Sequence, residues 1–170
     1  SGAMNIVPRP PEPGQSPGEV VQGFLDAMQA TPISTSVARE FLSQEARDDW
    51  APESTMTYAK AAVSGVQPRV TVTLSGASSL DARGAWQGPL GAQEQLSIAM
   101  TQEAGQWRIA DPPDALIVPE SWFEERFRQV SLYFFDPSAR VLVPDPVFVP
   151  RGAQLASALV EGLLNGPDPV

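Results

Sequence analysis

The residues of this 170-residue chain best suited to chemistry are acidic pairs and two tyrosines. Asp48-Asp49 and Glu124-Glu125 are adjacent in sequence. Neighbours on a helix diverge by about 100°, so neither pair converges on a single reacting atom, and a solvated acidic face is the expected role. The tyrosines are Tyr58 and Tyr133. Histidine and cysteine are both absent, which removes disulfides, Cys/His zinc sites, thiol nucleophiles and every Ser-His-Asp arrangement. No alternating-aspartate calcium loop and no glycine-rich phosphate loop occurs. No catalytic set, metal site or cofactor is therefore expected.

Charge excludes further classes. Twenty acidic residues against eleven basic give a net charge of −9. Nucleic-acid binding needs a basic stripe to displace phosphate counterions, and Lys60 is the sole lysine, so a polybasic membrane patch is excluded as well. No apolar run approaches the roughly 20 residues that span a bilayer. Residues 1–4, Ser-Gly-Ala-Met, read as a cloning remnant, so a native leader would have been replaced.

The elements that would position these residues follow from periodicity. Residues 5–16 carry prolines at 8, 10, 11 and 13 with few apolar side chains, which favours an extended spacer; it is expected to be mobile up to about Ser16. Ser16-Pro17-Gly18-Glu19 has capping-box spacing and opens a helix with Val20, Phe24 and Met28 on one face, ending at Thr31-Pro32. A second helical stretch covers 36–50, with Ala38, Leu42, Ala46 and Trp50 four apart and a break near Gln44. Beyond Pro52 the period turns to two: a weak strand at 57–62, a better one at 69–75, a poor one at 80–87 broken by Gly84 (bulged, or a loop), and the clearest at 93–101. Glu103-Ala104-Gly105 turns the chain into a strand at 106–109, and Pro112-Pro113 closes the sheet. Trp50 and Trp107 are expected in the core. Helices followed by an antiparallel meander define an α+β fold.

A helix at 119–128 then connects directly to a strand at 132–135, an extended run at 140–149, and an amphipathic helix with Leu155, Leu159 and Leu163 in register, stopped at Asn165-Gly166-Pro167. Two strands and one helix leave apolar faces uncovered, so residues 130–170 read as the start of a larger module. Trp122, Phe123 and Phe127 are candidates to clamp that module onto the first domain, the alternative being that they cap the first domain.

The helix-then-sheet order resembles the cone-shaped fold of nuclear transport factor 2 and ketosteroid isomerase. An isomerase-like site there would pair a tyrosine with a carboxylate in the apolar mouth. Tyr58 is the weak candidate for such a cavity. No acid is paired with it by spacing, and a packed tyrosine with a wet hydroxyl is the favoured reading.

The motifs LYFFDP, VLVPDPVFVP and LASALVEGLLNGPDP, preceded by SPGEVVQGFLDAM, AREFLSQEARDDW and GQWRIADPPDALIVPESWFEERFRQVSLYF, resemble the LpqB family of actinobacterial lipoproteins. The resemblance implies an N-terminal α+β cone domain at 17–129, an incomplete GerMN (spore-germination-type) module at 130–170, and a C-terminal β-propeller that this chain lacks. It implies a non-enzymatic protein, lipid-anchored on the extracytoplasmic face of the cell membrane, with 5–16 as its tether. The implied partner is the extracellular domain of a histidine kinase of the MtrA–MtrB two-component system, with effects on signalling, envelope homeostasis and cell division. Two alternatives stand beside it: a small-molecule sensor or isomerase-like enzyme using the cone cavity, and cell-wall glycan binding.

Overall fold

A computed structural model of the chain describes residues 7–30, 34–65, 67–135 and 142–150, the last two strands through their backbone pairing. Helix α1 (Pro17–Ala27) begins at a complete capping box. The Glu19 N–H donates to the Ser16 hydroxyl at 3.2 Å, and the Ser16 N–H donates to the Glu19 carboxylate at 3.3 Å. Val20, Val21, Phe24, Leu25 and Met28 are all buried, so the stripe read from spacing is the core face. The helix ends at Ala27 with Met28 as its cap, short of the stop expected at Thr31-Pro32, which itself lies outside the described residues.

The stretch expected as one broken helix forms two short ones, α2 (Ser36–Arg39) and α3 (Gln44–Asp49). Ser43 starts α3 afresh, its hydroxyl accepting the Ala46 N–H at 3.2 Å. The loop between the helices is drawn into the sheet: the Ile109 N–H donates to the Phe41 carbonyl at 2.9 Å and the Ser43 N–H to the Ile109 carbonyl at 2.8 Å. Backbone groups buried in that loop thus find partners without a continuous helix.

Eight strands follow: β1 (Ser54–Tyr58), β2 (Lys60–Ser64), β3 (Arg69–Ser75), β4 (Ser78–Leu80), β5 (Trp86–Pro89), β6 (Gln93–Glu103), β7 (Gln106–Ile109) and β8 (Ala115–Pro119). They form two four-stranded sheets, β5-β4-β1-β8 and β2-β3-β6-β7, rather than one meander. The weak strand expected at 57–62 is divided between β1 and β2. Thr57 faces Ser78 before the division and Lys60 faces Ser75 after it, so one hairpin runs through both sheets and bends at Ala59 and Gly76. The result is a curled, half-barrel sheet. Gly76 has φ +62°, and a Cβ there would lie 3.0 Å from the Ala59 methyl.

Alternation along β3 and β6 places Val70, Val72, Leu74, Ile98 and Met100 in one cluster with α1, as expected from period two. The poor strand at 80–87 is divided as its bulged or looped alternative anticipates: Leu80 ends β4, Trp86 and Gln87 begin β5, and a turn lies between them. Asp81 accepts the Arg83 and Ala85 N–H groups at 2.9 Å each and separates β4 from β5. Trp107 is half-buried rather than core, because β7 is an edge strand.

Pro112-Pro113 does not close the sheet. β8 follows and pairs parallel with β1, Ile117 facing Met56. Its Ala-Leu-Ile-Val run is too short to show a period, and it is buried at Ala115, Ile117 and Val118. The connecting helix is shorter than expected: α4 (Glu120–Arg126) gives way at Phe127, which is extended at φ −124°, ψ 155°. Phe127 therefore opens strand β9 (Phe127–Phe135), which pairs antiparallel with β10 (Leu142–Pro150). The amphipathic helix expected at 155–164 lies outside the described residues.

Two glycines in α1 separate packing from propensity. A Cβ on Gly23 would meet the Phe41 ring at 2.5 Å, whereas one on Gly18 would meet only Val63 at 3.9 Å. Gly23→Ala is expected to destabilise the fold by about 1–3 kcal/mol, and Gly18→Ala to be neutral or stabilising by up to about 1 kcal/mol. Urea unfolding of the two variants checks this: equal midpoints would mean that Phe41 is not held against the helix.

Candidate functional site

Three places carry chemical or binding potential. The first is an open cleft of about 650 Å³ between α3 with its exit and the β7–β8 loop. Glu45, Asp49 and Glu53 line one wall and Asp111 and Asp114 the other, with Trp50 and Pro112 between them. The loop is fixed by the Trp50 indole N–H, which donates to the Pro113 carbonyl at 2.9 Å, and by the Ser54 hydroxyl, which donates to the Asp114 carbonyl at 3.0 Å. Among the described residues no group of three or more acidic side chains is arranged to hold a metal ion. The cleft lies open to water, so its carboxylates can steer cationic groups but cannot concentrate the field as an enclosed site would.

Sequence reasoning did not find this cleft. Glu45 and Asp49, four apart, share one face of α3, but Glu53 lies beyond the helix, and the meeting of all three with Asp111 and Asp114 depends on the β8 crossover.

The second place is Tyr58, at the end of β1. It is buried, with 8% exposure, and belongs to the main core cluster. Burial, with the charge of Asp26 on α1 adding to it, pushes its phenol above the ordinary value of 10.0. Asp26 itself is exposed and accepts from Gln22 at 3.0 Å. Tyr58 does not line the acidic cleft.

The third place is α4. Trp122 and Phe123 are buried, and Phe127 packs partly buried against the same cluster. The Trp122 indole N–H donates to the Gln29 carbonyl at 3.1 Å, the Arg126 guanidinium lies 4.9 Å above its ring, and Phe123 stacks on Phe127 at 4.4 Å. Trp122 and Phe123 thus close the core of the first domain. The expected clamp on residues 130–170 involves side chains outside those described.

A curled sheet closed over its own helix, with an open acidic cleft beside it, defines a small α+β domain. Residues 10–124 match the family described as "Lipoprotein LpqB, N-terminal domain", and the chain belongs to that family. It is similar to Lipoprotein LpqB of Cutibacterium acnes, 29% identical over 99% of this chain and 29% of the relative. Lipoprotein LpqB of Mycobacterium bovis is 30% identical over 98% of this chain and 31% of its own length. That of Thermobifida fusca is 28% identical over 95% and 29%. The chain therefore spans about three-tenths of the length of these relatives. No solved structure matches. No helix among the described residues is long and apolar enough to cross a membrane.

The buried phenol gives a pH dependence with a defined sign. The folded state holds the Tyr58 proton more tightly than the unfolded chain does. Its stabilising effect is complete below pH 10 and is lost as pH rises through the folded value. Melting temperature is expected to fall above pH 10, and more shallowly in Tyr58→Phe. Identical slopes in parent and variant would show that Tyr58 ionises as it does in the unfolded chain.

Proposed function

We propose that this chain is the membrane-proximal part of an LpqB-type lipoprotein that acts by binding protein rather than by catalysis. The observation that carries the reading is the family match over residues 10–124, together with relatives named as lipoproteins that cover nearly the whole chain. In this reading an N-terminal lipid anchors the protein on the extracytoplasmic face of the cell membrane, and residues 5–16 hold the domain away from it. The curled sheet corresponds to a cone of the nuclear-transport-factor-2 type, and the β9–β10 hairpin opens a GerMN module. The partner is the extracellular domain of a two-component histidine kinase of the MtrA–MtrB type, whose signalling the lipoprotein modulates. The net charge of −9 and the open acidic cleft support contact with a basic protein surface.

The test immobilises the kinase extracellular domain and titrates the chain over it at two salt concentrations. Saturable binding that weakens as salt rises is expected, since exposed charges are screened. No saturable binding would overturn the kinase reading, and a metabolite carried through purification in the cone would favour a small-molecule sensor.

The same reading makes Trp122, Phe123 and Phe127 the joint between the cone and the following module. A buried aromatic ring contributes roughly 1.5–3 kcal/mol, and β9 starts at Phe127 with no linker after α4. Phe127→Ala is expected to speed proteolysis after Val130 severalfold while the cone stays folded. Cleavage no faster than in the parent would assign the joint to other residues.

A further inference from the structure

The spacer does not run free to the start of α1. Pro11 and Gln15 are half-buried, and the turn between them is fastened at two points. The Glu12 N–H donates to the Gln15 side-chain carbonyl at 3.1 Å, and the Gly14 N–H donates to the Gln106 side-chain carbonyl at 2.8 Å. The last turn of the spacer, where composition predicts a mobile segment, thus has hydrogen-bond partners that composition does not reveal.

The position of Gln106 gives this contact a role. It opens β7 immediately after the Ala104-Gly105 turn and faces Glu103 across the hairpin. The Glu103 carboxylate accepts the Gln44 N–H at 3.0 Å, at the start of α3. One side of the hairpin tip therefore holds the spacer and the other holds the helix whose Glu45 and Asp49 line the acidic cleft. Spacer and cleft are referenced to the same rigid two-residue turn.

We propose that Gln106 is a latch that fixes the direction in which the proline-rich spacer leaves the domain, so that the acidic cleft has a set orientation relative to the spacer. Prolines at 8, 10, 11 and 13 stiffen the segment, so a direction fixed at Gly14 persists along it instead of being lost at the next bond. Resting on the lipid-anchor reading, the latch orients the cleft relative to the membrane; the latch itself is a property of this chain alone. Gln106 is a positioning residue, and its donor-acceptor chemistry is specific: it needs an acceptor of this reach.

Because the chain has no cysteine, spin labels can be placed cleanly at Val7→Cys and Gln95→Cys, both exposed positions. The parent is expected to give a narrow distance distribution, Gln106→Ala a broad one, and Gln106→Glu, which keeps an acceptor of the same length, a narrow one again. Exchange of the Gly14 amide should accelerate roughly three- to tenfold in Gln106→Ala, the effect of one net hydrogen bond, with an unchanged far-UV spectrum. A parent distribution as broad as that of Gln106→Ala would overturn the latch, as would a narrow distribution in both or failure of Gln106→Glu to restore it. Fractionation of the full-length lipoprotein tests the anchor separately: its recovery in the soluble fraction would sink the membrane orientation and leave the latch intact.

Discussion

Everything in this domain depends on one hairpin serving two sheets. β1 and β2 form one arm, and β3 and β4 the other. The register passes through the bend at Ala59 and Gly76 unchanged, so the two arms stay paired while the sheet turns. Gly76 makes this possible by occupying φ +62° where the Ala59 methyl leaves no room for a Cβ. The curl then creates a concave face deep enough for α1, and α1 fills it with Val20, Phe24 and Leu25. The interior is a packed core, with Phe41 set directly against Gly23.

A second layer of constraint is polar and lies at the edge of that core. Arg39 and Arg47 donate to one another's backbone carbonyls at 2.9 and 3.2 Å, and Arg47 also donates to the Leu42 carbonyl at 3.2 Å. These bonds satisfy carbonyls that two short helices would otherwise leave open. The Arg39 guanidinium also stands 5.4 Å from the Trp50 ring, whose indole holds the β7–β8 loop. The acidic cleft is thus framed by backbone and cationic contacts rather than by its own carboxylates. That leaves those carboxylates facing solvent.

Much of the fold was legible from residue order. The capping box at Ser16, the stripe Val20–Phe24–Met28 and the alternation of Ile98 and Met100 each follow from a local rule: the box forms, and the stripe and the alternating pair are buried. The failures were of a different physical kind. β8 has no period of its own and exists because β1 has a free edge. The break near Gln44 was legible too, but the backbone bonds that fix it come from Ile109, some 66 positions beyond Ser43. Phe127 fits a helix spacing, yet it is extended because a nine-residue pairing with β10 outweighs one more helical turn. The aromatic residues of α4 were visible as a cluster, whereas the acidic cleft was not, since its two walls meet only in three dimensions.

The parallel pairing of β8 with β1 also governs the order in which this chain can become a folded object. β1 lies near residue 55 and β8 near residue 117, so the sheet's central strand waits for a segment synthesised some sixty residues later. Closing such a loop costs entropy before any contact returns it, and parallel, non-local pairing is the slow step in domains of this size. Until β8 arrives, β1 carries an open hydrogen-bonding edge next to an unfinished core, the kind of edge on which chains join one another. A chain delivered from its N-terminus would hold its first half in an incomplete, adhesive state until Pro119 is available. α4 begins one residue after β8 ends, and the β9–β10 hairpin begins one residue after α4. The same event that seals the domain therefore presents its successor.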